Sequence, residues 1–302
     1  MTNQTNNSQD THTTRNAQNA QGAQGGGAAP TVLVTSATGK TGQRVAERLT
    51  ARGATVRAGS RTGATPFDWE APDTWAPALR GADSAYVAYY PDLAAPGAVE
   101  AMRTFGRLAV EAGVGRLTLL SGRGEPEAVA AEEALREAAE GVELTVVRAS
   151  FFAQNFSEGL LAEGVAAGSV VFPAGDTAEP FIDADDLADV VVETLTDDRH
   201  AGRTHELTGP RPVGFAEVAA EISRASGRPV VYEPVSEADY AGFLAGFGLP
   251  APEAAWLANL FATLLDGHNA SVTDGVKQVL GRDPRPFADF ATEAWDGRTS
   301  AS

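Results

Sequence analysis

A short apolar run that leads directly into a glycine-containing turn constrains this chain more than any other segment. Residues 31–35 (TVLVT) are followed by residues 36–42 (SATGKTG), after which Val45, Ala46 and Leu49 recur at helical spacing. The apolar run is typical of a buried strand, and the recurrence is typical of an amphipathic helix. The segment therefore predicts a strand, a tight turn and a helix, the unit on which a dinucleotide pyrophosphate rests in α/β proteins.

The same alternation continues to about residue 150. Further apolar runs, separated by helical patterns, stand at 54–58, 66–68, 84–88, 117–120 and 144–148. Nearly unbroken apolar strands separated by helices indicate a parallel sheet that is covered on both faces. We therefore predict an α/β fold, with a Rossmann-type doubly wound parallel sheet over residues 30–150.

The second half of the chain has a less regular pattern. A helix is predicted near residues 154–166, and strands are predicted near 170–172 and 204–207. We interpret residues 151–302 as a smaller C-terminal substrate-binding lobe, from which strands can return to the first sheet. Residues 1–29 are polar and lack large aliphatic side chains, which predicts a disordered tail.

The turn supplies most of the predicted cofactor contacts. Gly39 allows the backbone to approach phosphates, and Gly42 allows the helix to pack closely on the strand. Thr38 and Thr41 offer hydroxyl groups beside the same phosphates. Ser36 stands where such turns usually have their first glycine, so a serine must tolerate a tight backbone there.

The end of the second predicted strand bears on the choice between NADP and NAD. A carboxylate normally binds the NAD ribose there, but this chain has Ser60 and Arg61 instead. A guanidinium can hold a 2′-phosphate through two hydrogen bonds, so we predict NADP(H) in preference to NAD(H). Arg57 and Lys40 are secondary candidates for the same phosphate. Asp68, at the end of the third strand, either meets the adenine amino group or caps the next helix.

These residues, with others along the chain, resemble the NmrA-like atypical short-chain dehydrogenases/reductases over nearly all of residues 31–292. The segments that carry the resemblance are 34–42 (VTSATGKTG), 67–70 (FDWE), 119–122 (LLSG), 147–156 (VRASFFAQNF) and 180–188 (PFIDADDLA). The resemblance implies cofactor contacts for Ala88 and Tyr89 near the adenosine, and for Ser121, Phe151 and Asn155 near the nicotinamide. Residues 240–290 look similar to bacterial relatives of the ergot-alkaloid reductases, whereas other members are quinone oxidoreductases, azoreductases or redox sensors.

The catalytic residues of complete relatives are missing. Such relatives place a tyrosine and a lysine four residues apart on the helix after the fifth strand, but residues 125–140 contain neither type. Weak candidates for a catalytic role are Ser121 and Arg123; Arg123 either orients a carbonyl group or an anion, or pairs only with Glu125. Asp183, Asp185 and Asp186 begin a helical pattern, so we interpret them as helix-capping residues and predict no metal site.

The charge balance limits the class of partner. With 40 acidic and 23 basic residues, the formal net charge is −17, which disfavours nucleic acid and anionic membrane surfaces as partners. The sequence has no cysteine and no apolar run of membrane-spanning length. We therefore expect a cytoplasmic monomer or homodimer with a small-molecule substrate.

Two functions remain open from the sequence. The first is an NAD(P)H-dependent oxidoreductase that transfers hydride to a small conjugated acceptor, such as a quinone or an iminium ion, since these tolerate a missing general acid. The alternative is a non-catalytic NADP(H)-binding redox sensor that acts through a protein partner. The missing tyrosine–lysine pair favours the sensor. The aromatic side chains of Phe151, Phe152, Phe156 and Phe181, in segments suited to line a pocket, favour the enzyme.

Overall fold

The computed structural model describes residues 29–159 and 161–296. The strands are β1 Thr31–Val34, β2 Thr55–Ser60, β3 Thr65–Pro66, β4 Ser84–Val87, β5 Arg116–Gly122, β6 Glu143–Ala149, β7 Ser169–Phe172, β8 Ala178–Glu179, β9 Thr204–Leu207, β10 Val213–Gly214 and β11 Val231–Pro234. The helices are α1 Lys40–Ala51, α2 Trp75–Leu79, α3 Ala98–Glu111, α4 Pro126–Ala138, α5 Ala162–Ala167, α6 Ala184–Thr196, α7 Phe215–Ser226, α8 Glu237–Gly246, α9 Ala251–Leu264, α10 Gly275–Leu280 and α11 Phe287–Trp295. Residues 1–28, nearly all of the predicted tail, lie outside the described residues.

Seven strands form one sheet in the order β3-β2-β1-β4-β5-β6-β9. Every neighbouring pair in this sheet is parallel. The chain moves outward from β1 to β3 and then crosses to β4 on the other side, which creates a switch point between β1 and β4. The predicted doubly wound, Rossmann-type sheet is confirmed.

Alternating side chains on the strands form two separate cores. Leu33 of β1 and Leu117 of β5 face α3 and α4, where they join a cluster with Phe105. Val34, one residue beyond Leu33, faces the opposite layer and packs with Leu187 of α6. Because successive strand residues point to opposite faces, both faces of the sheet are apolar and both are covered by helices.

The second half of the chain contributes to the sheet and also forms a lobe of its own. Strand β9 pairs with β6, and α6 packs against α1. The lobe has an aromatic core, whose buried members include Phe156, Phe172, Phe181, Phe215 and Tyr240. Within the lobe, β11 pairs with β7 in parallel and β10 pairs with β8 antiparallel.

The predicted helix over residues 154–166 is only partly correct. A short 3-10 turn covers Ala153–Phe156, and α5 begins only at Ala162. Gly159 lies between them with a φ of +92°, a conformation outside any right-handed helix. The apolar spacing alone did not reveal this break.

Two histidines lie buried beside each other near the start of β9. Nδ1 of His200 and Nε2 of His205 are 3.2 Å apart, and the rings meet edge to face. The pKa of His205 is lowered to about 4, first by burial and then by the neighbouring His200, and burial also lowers the pKa of His200. Both side chains are therefore neutral partners at pH 7.

This pair predicts a loss of stability in mild acid. An unfolded histidine takes up a proton near pH 6.5, whereas His205 in the folded protein does so only near pH 4. The neutral His205 therefore contributes fully to stability above about pH 6.5, and this contribution is lost as the pH falls toward 4. We expect His205 to account for about 2 kcal/mol of the unfolding free energy lost over this range. Urea denaturation of wild type and His205→Gln from pH 7.5 to 4 measures it. An equally steep decline in the variant would contradict the assignment.

Candidate functional site

The turn between β1 and α1 is strained at the position that usually holds glycine. Ser36 has a φ of +49°, and it is the one non-glycine residue with a positive φ in the described part of the chain. Its Oγ donates to the carbonyl oxygen of Ala88 at 2.9 Å, and its own carbonyl oxygen accepts from Gly39 N at 2.9 Å. These bonds hold a serine in a left-handed conformation and tie the turn to the end of β4.

The first turn of α1 forms a cradle that fits a phosphate group. A Cβ atom at Gly42 would lie 2.3 Å from the carbonyl oxygen of Ser36, so the helix approaches the turn as closely as only glycine permits. Thr38 and Gly39 are exposed, and α1 begins without a side-chain cap or an acidic residue in its first turn. The helix-terminal amides therefore remain free for an anion. Thr41 is buried instead, where its hydroxyl group accepts a hydrogen bond from Tyr86 at 2.9 Å.

Lys40 joins this turn to the loop after β6. Its Nζ donates to Oδ1 of Asn155 and lies 5.9 Å from the centre of the Phe152 ring. The pKa of Lys40 is lowered to about 8, chiefly by burial; the charge of Glu158 acts in the opposite direction, and the charge of Arg44 lowers the pKa as well. Lys40, predicted beside a phosphate, and Asn155, predicted near the nicotinamide, are thus in direct contact.

The predicted aromatic pocket is mostly lobe core. Phe156 and Phe181 are fully buried, and Phe151 packs its ring against both, at centroid distances of 6.5 and 6.1 Å. Only Phe151 and Phe152 keep part of their surface open. The expectation that Phe156 and Phe181 line a pocket is wrong, because their rings fill the centre of the lobe.

The end of β2 presents a free cation. Ser60 is buried, whereas Arg61 is exposed and has no hydrogen bond or ion pair within residues 29–159 and 161–296. Arg57 donates to the carbonyl oxygens of Ala78 and Arg80 and so is committed to the end of α2. Asp68 accepts from the amide of Glu70 at 3.1 Å, in a local turn and not as the cap of a helix.

The end of β4 is fixed by a network around one carbonyl group. The carbonyl oxygen of Ala88 accepts from Ser36 Oγ and, at 2.8 Å, from Trp69 Nε1. Tyr89 packs against Trp69 at a ring-centroid distance of 5.0 Å. Ala88 and Tyr89 therefore lie at the switch point beside the glycine-containing turn, where α/β sheets bind ligands.

Ser121, at the end of β5, belongs to a buried ionic cluster. Its Oγ donates to Glu132 Oε1 at 2.5 Å, and Glu132 also accepts from Arg148 Nε at 2.9 Å and Nη2 at 2.8 Å. Glu132 is nearly fully buried on the face of α4 that carries Ala128 and Leu135. A carboxylate within an otherwise apolar stripe was the sequence signal for this cluster, and the sequence analysis missed it.

Arg123 does not pair with Glu125. It bonds to Glu206 Oε2 at 3.2 Å, to the carbonyl oxygen of Asn269 at 2.7 Å and to Ser271 Oγ at 2.7 Å. Asn269 in turn donates to the carbonyl oxygen of Arg123. Of the two roles left open for Arg123, the pairing with Glu125 is wrong, because Arg123 instead anchors the loop between α9 and α10.

Of the three acidic residues at the start of α6, only Asp183 is the predicted cap. Asp183 is the N-cap and accepts from the amide of Asp185 at 2.8 Å, and its second oxygen pairs with Arg285. Asp186 pairs with Arg282. In the part of the chain that the structure describes, no three potential ligand side chains are arranged to hold a metal ion, and no helix is long and apolar enough to cross a membrane.

Known proteins are similar in sequence to this chain over most of its length. No family profile matches the chain. The uncharacterized oxidoreductase YesF of Bacillus subtilis is 32% identical over 270 residues, which are 86% of this chain and 93% of that protein. The prestalk A differentiation protein A of Dictyostelium discoideum is 27% identical over 90% of this chain and 94% of its own. Festuclavine dehydrogenase easG of Aspergillus fumigatus is 29% identical over 87% of this chain and 97% of its own length.

Solved structures show the same fold. The triphenylmethane reductase of Citrobacter sp., in a crystal structure complexed with NADP(H), superposes with a TM-score of 0.67 over 88% of this chain and 99% of its own, at 21% identity. The sheet order and the glycine-containing turn define a Rossmann-type α/β fold. The chain belongs to the NmrA-like atypical short-chain dehydrogenase/reductase family.

Proposed function

We propose that the protein is an NADP(H)-dependent oxidoreductase that reduces a small conjugated acceptor, such as a quinone or an iminium ion. The observation that carries this proposal is the open first turn of α1, whose free amides lie beside a glycine that no larger residue can replace. The cofactor supplies a hydride when it is bound. The protein's own residues then bind its phosphates, orient its rings and hold the acceptor against them.

Support for the substrate class comes from charge and from the relatives. The net charge of −17 favours a neutral or cationic acceptor over an anionic one. Two relatives are named as an oxidoreductase and a festuclavine dehydrogenase, and the structural neighbour is a triphenylmethane reductase. We propose that residues 151–302 provide the substrate side of the site, with Phe151 and Phe152 nearest to it. We also propose a cytoplasmic location, and activity as a monomer or homodimer.

Arg61 carries the proposed preference for NADP(H). It stands at the end of β2, where an NAD-specific fold has a carboxylate, and its guanidinium has no other partner among the described residues. We expect Arg61→Ala to lower the ratio of NADPH to NADH affinity about 10- to 100-fold, because the variant loses the charge-assisted hydrogen bonds to the 2′-phosphate. Fluorescence titration with both cofactors measures it. The exposed Arg107→Ala is the matched control, and an unchanged ratio in Arg61→Ala would refute the role.

The proposed activity is tested by NADPH consumption. Purified protein is first titrated with NADPH and then assayed against a small panel of quinones, cyclic iminium ions and azo dyes. Saturable turnover with at least one acceptor class is the expected result. Tight NADPH binding without turnover would instead support the redox sensor, which the missing tyrosine–lysine pair favours.

A further inference from the structure

Glu125 is folded inward over the end of β5. It occupies the N-cap position of α4, where a carboxylate normally accepts from free helix amides, yet it makes no capping hydrogen bond. Its side chain is only 7% exposed. A Cβ atom at Gly122 would lie 2.1 Å from Glu125 Oε1, so the glycine at the strand end leaves the space that this carboxyl group fills.

Asp92 is the partner of this carboxyl group. It lies in the loop after β4, where its Oδ1 accepts from the amide of Ala94 at 2.8 Å, and its side chain is hydrogen-bonded to that of Glu125. Two carboxyl groups can form such a bond only if one of them carries a proton. Oε2 of Glu125 is buried, whereas Asp92 keeps a small part of its surface exposed. The pair therefore links a buried proton to the surface.

The surroundings favour a protonated Glu125 at neutral pH. The pKa of Glu125 is raised to about 9, first by burial and then by the negative charges of Asp92, Glu127 and Glu132. Burial also raises the pKa of Asp92. The nearby cation Arg148 is bonded to Glu132, so it does not neutralise the pair.

The pair lies on the ligand-binding edge of the sheet. Asp92 follows β4 and Glu125 follows β5, so both stand beyond the carboxyl ends of the strands, as the glycine-containing turn does after β1. The end of β4 also touches that turn, because Ser36 donates to the carbonyl oxygen of Ala88.

We propose that the Glu125–Asp92 carboxyl pair donates the proton that a reduced acceptor needs after hydride transfer. This inference rests on the proposed oxidoreductase function. When hydride adds to one atom of a double bond, the electron pair moves to the other atom. The O–H bond of Glu125 breaks as a bond from that atom to hydrogen forms, which leaves Glu125 as a carboxylate. Asp92 then passes a proton from solvent to Glu125 and restores the pair.

Two acceptors separate the proton step from the hydride step. An azo dye must take up both a hydride and a proton, whereas an N-alkylated cyclic iminium ion takes up a hydride alone. In Glu125→Gln the side chain keeps its shape and its hydrogen-bond donor but has no acidic proton. We expect the ratio of azo to iminium kcat to fall about 100-fold in this variant, as loss of a general acid predicts, with NADPH affinity unchanged.

The pH profile and controls complete the test. Wild-type azo reduction should decline above about pH 9, where Glu125 loses its proton, and Glu125→Gln should lack that decline. Asp92→Asn should shift the pH at which azo reduction declines. The exposed Glu133→Gln on α4 should behave as the wild type. The assignment is overturned if Glu125→Gln keeps the wild-type ratio, or if the wild type reduces the iminium ion but not the dye. If the wild-type protein reduces neither acceptor, the proposed function is refuted and this inference falls with it.

Discussion

Replacing Gly42 with alanine is expected to abolish cofactor binding. The new Cβ would lie 2.3 Å from the carbonyl oxygen of Ser36 and 2.9 Å from Cα of Ala37, and both neighbours are backbone atoms that cannot rotate away. The first turn of α1 must therefore move outward, and the amides that hold the phosphates move with it. We expect NADPH affinity to fall at least about 100-fold, and unfolding free energy to fall by about 2 kcal/mol through overpacking.

NADPH titration and urea denaturation of the same preparation measure both effects. Gly242→Ala is the matched control, because that helical glycine is exposed and has no atom within 4 Å of its Cβ position. The control should bind NADPH normally and be as stable as the wild type or slightly more stable. A Gly42→Ala protein with wild-type NADPH affinity would show that the phosphates do not rest on this turn.

Replacing Arg148 with leucine is expected to be the most destabilising loss of an ion pair in the described part of the chain. Arg148 contacts both oxygens of Glu132, which is 4% exposed and keeps only Ser121 as a direct partner when the guanidinium is removed. A stranded buried carboxylate costs about 3–5 kcal/mol, and because Arg148 is itself a quarter exposed we expect about 2–3 kcal/mol.

Two further variants test whether the loss of stability is specific to a buried ion pair. In Arg211→Leu, an equally short two-point contact with Glu217 is lost at the exposed surface, and we expect a cost under about 1 kcal/mol. The double replacement Glu132→Leu with Arg148→Leu should recover at least half of the loss, because no charge is left buried. Denaturation midpoints of the three proteins test this order, and an Arg148→Leu effect no larger than that of Arg211→Leu would contradict it.

The framework of the sheet could be predicted because its signals are local. The apolar run at β1 and the glycine pattern after it predicted the strand, the turn and the start of α1. The cap at Asp183 was likewise predictable, since it bonds to an amide two residues away. Such features depend on residues that are neighbours in sequence.

The ionic and carboxyl clusters of the site could not be predicted in the same way. Ser121 meets Arg148 only because β5 and β6 pair in that register, and Glu132 reaches both from α4. A bond to a near neighbour was one of two roles left open for Arg123, but its partners come from β9 and from the loop after α9. These contacts depend on how distant elements pack, and the sequence pattern carries no information on that register.

The most direct test of hydride transfer follows the isotope in the cofactor. Two samples of NADPH are prepared, each deuterated at C4 on one of the two faces of the ring. The protein oxidises each sample with an acceptor that it turns over, and mass spectrometry measures the deuterium content of the recovered NADP+. Hydride transfer in an ordered site predicts complete loss of deuterium from one form and complete retention in the other. Mixed labelling in both forms, or NADPH that binds but is never oxidised, would contradict the proposed oxidoreductase function.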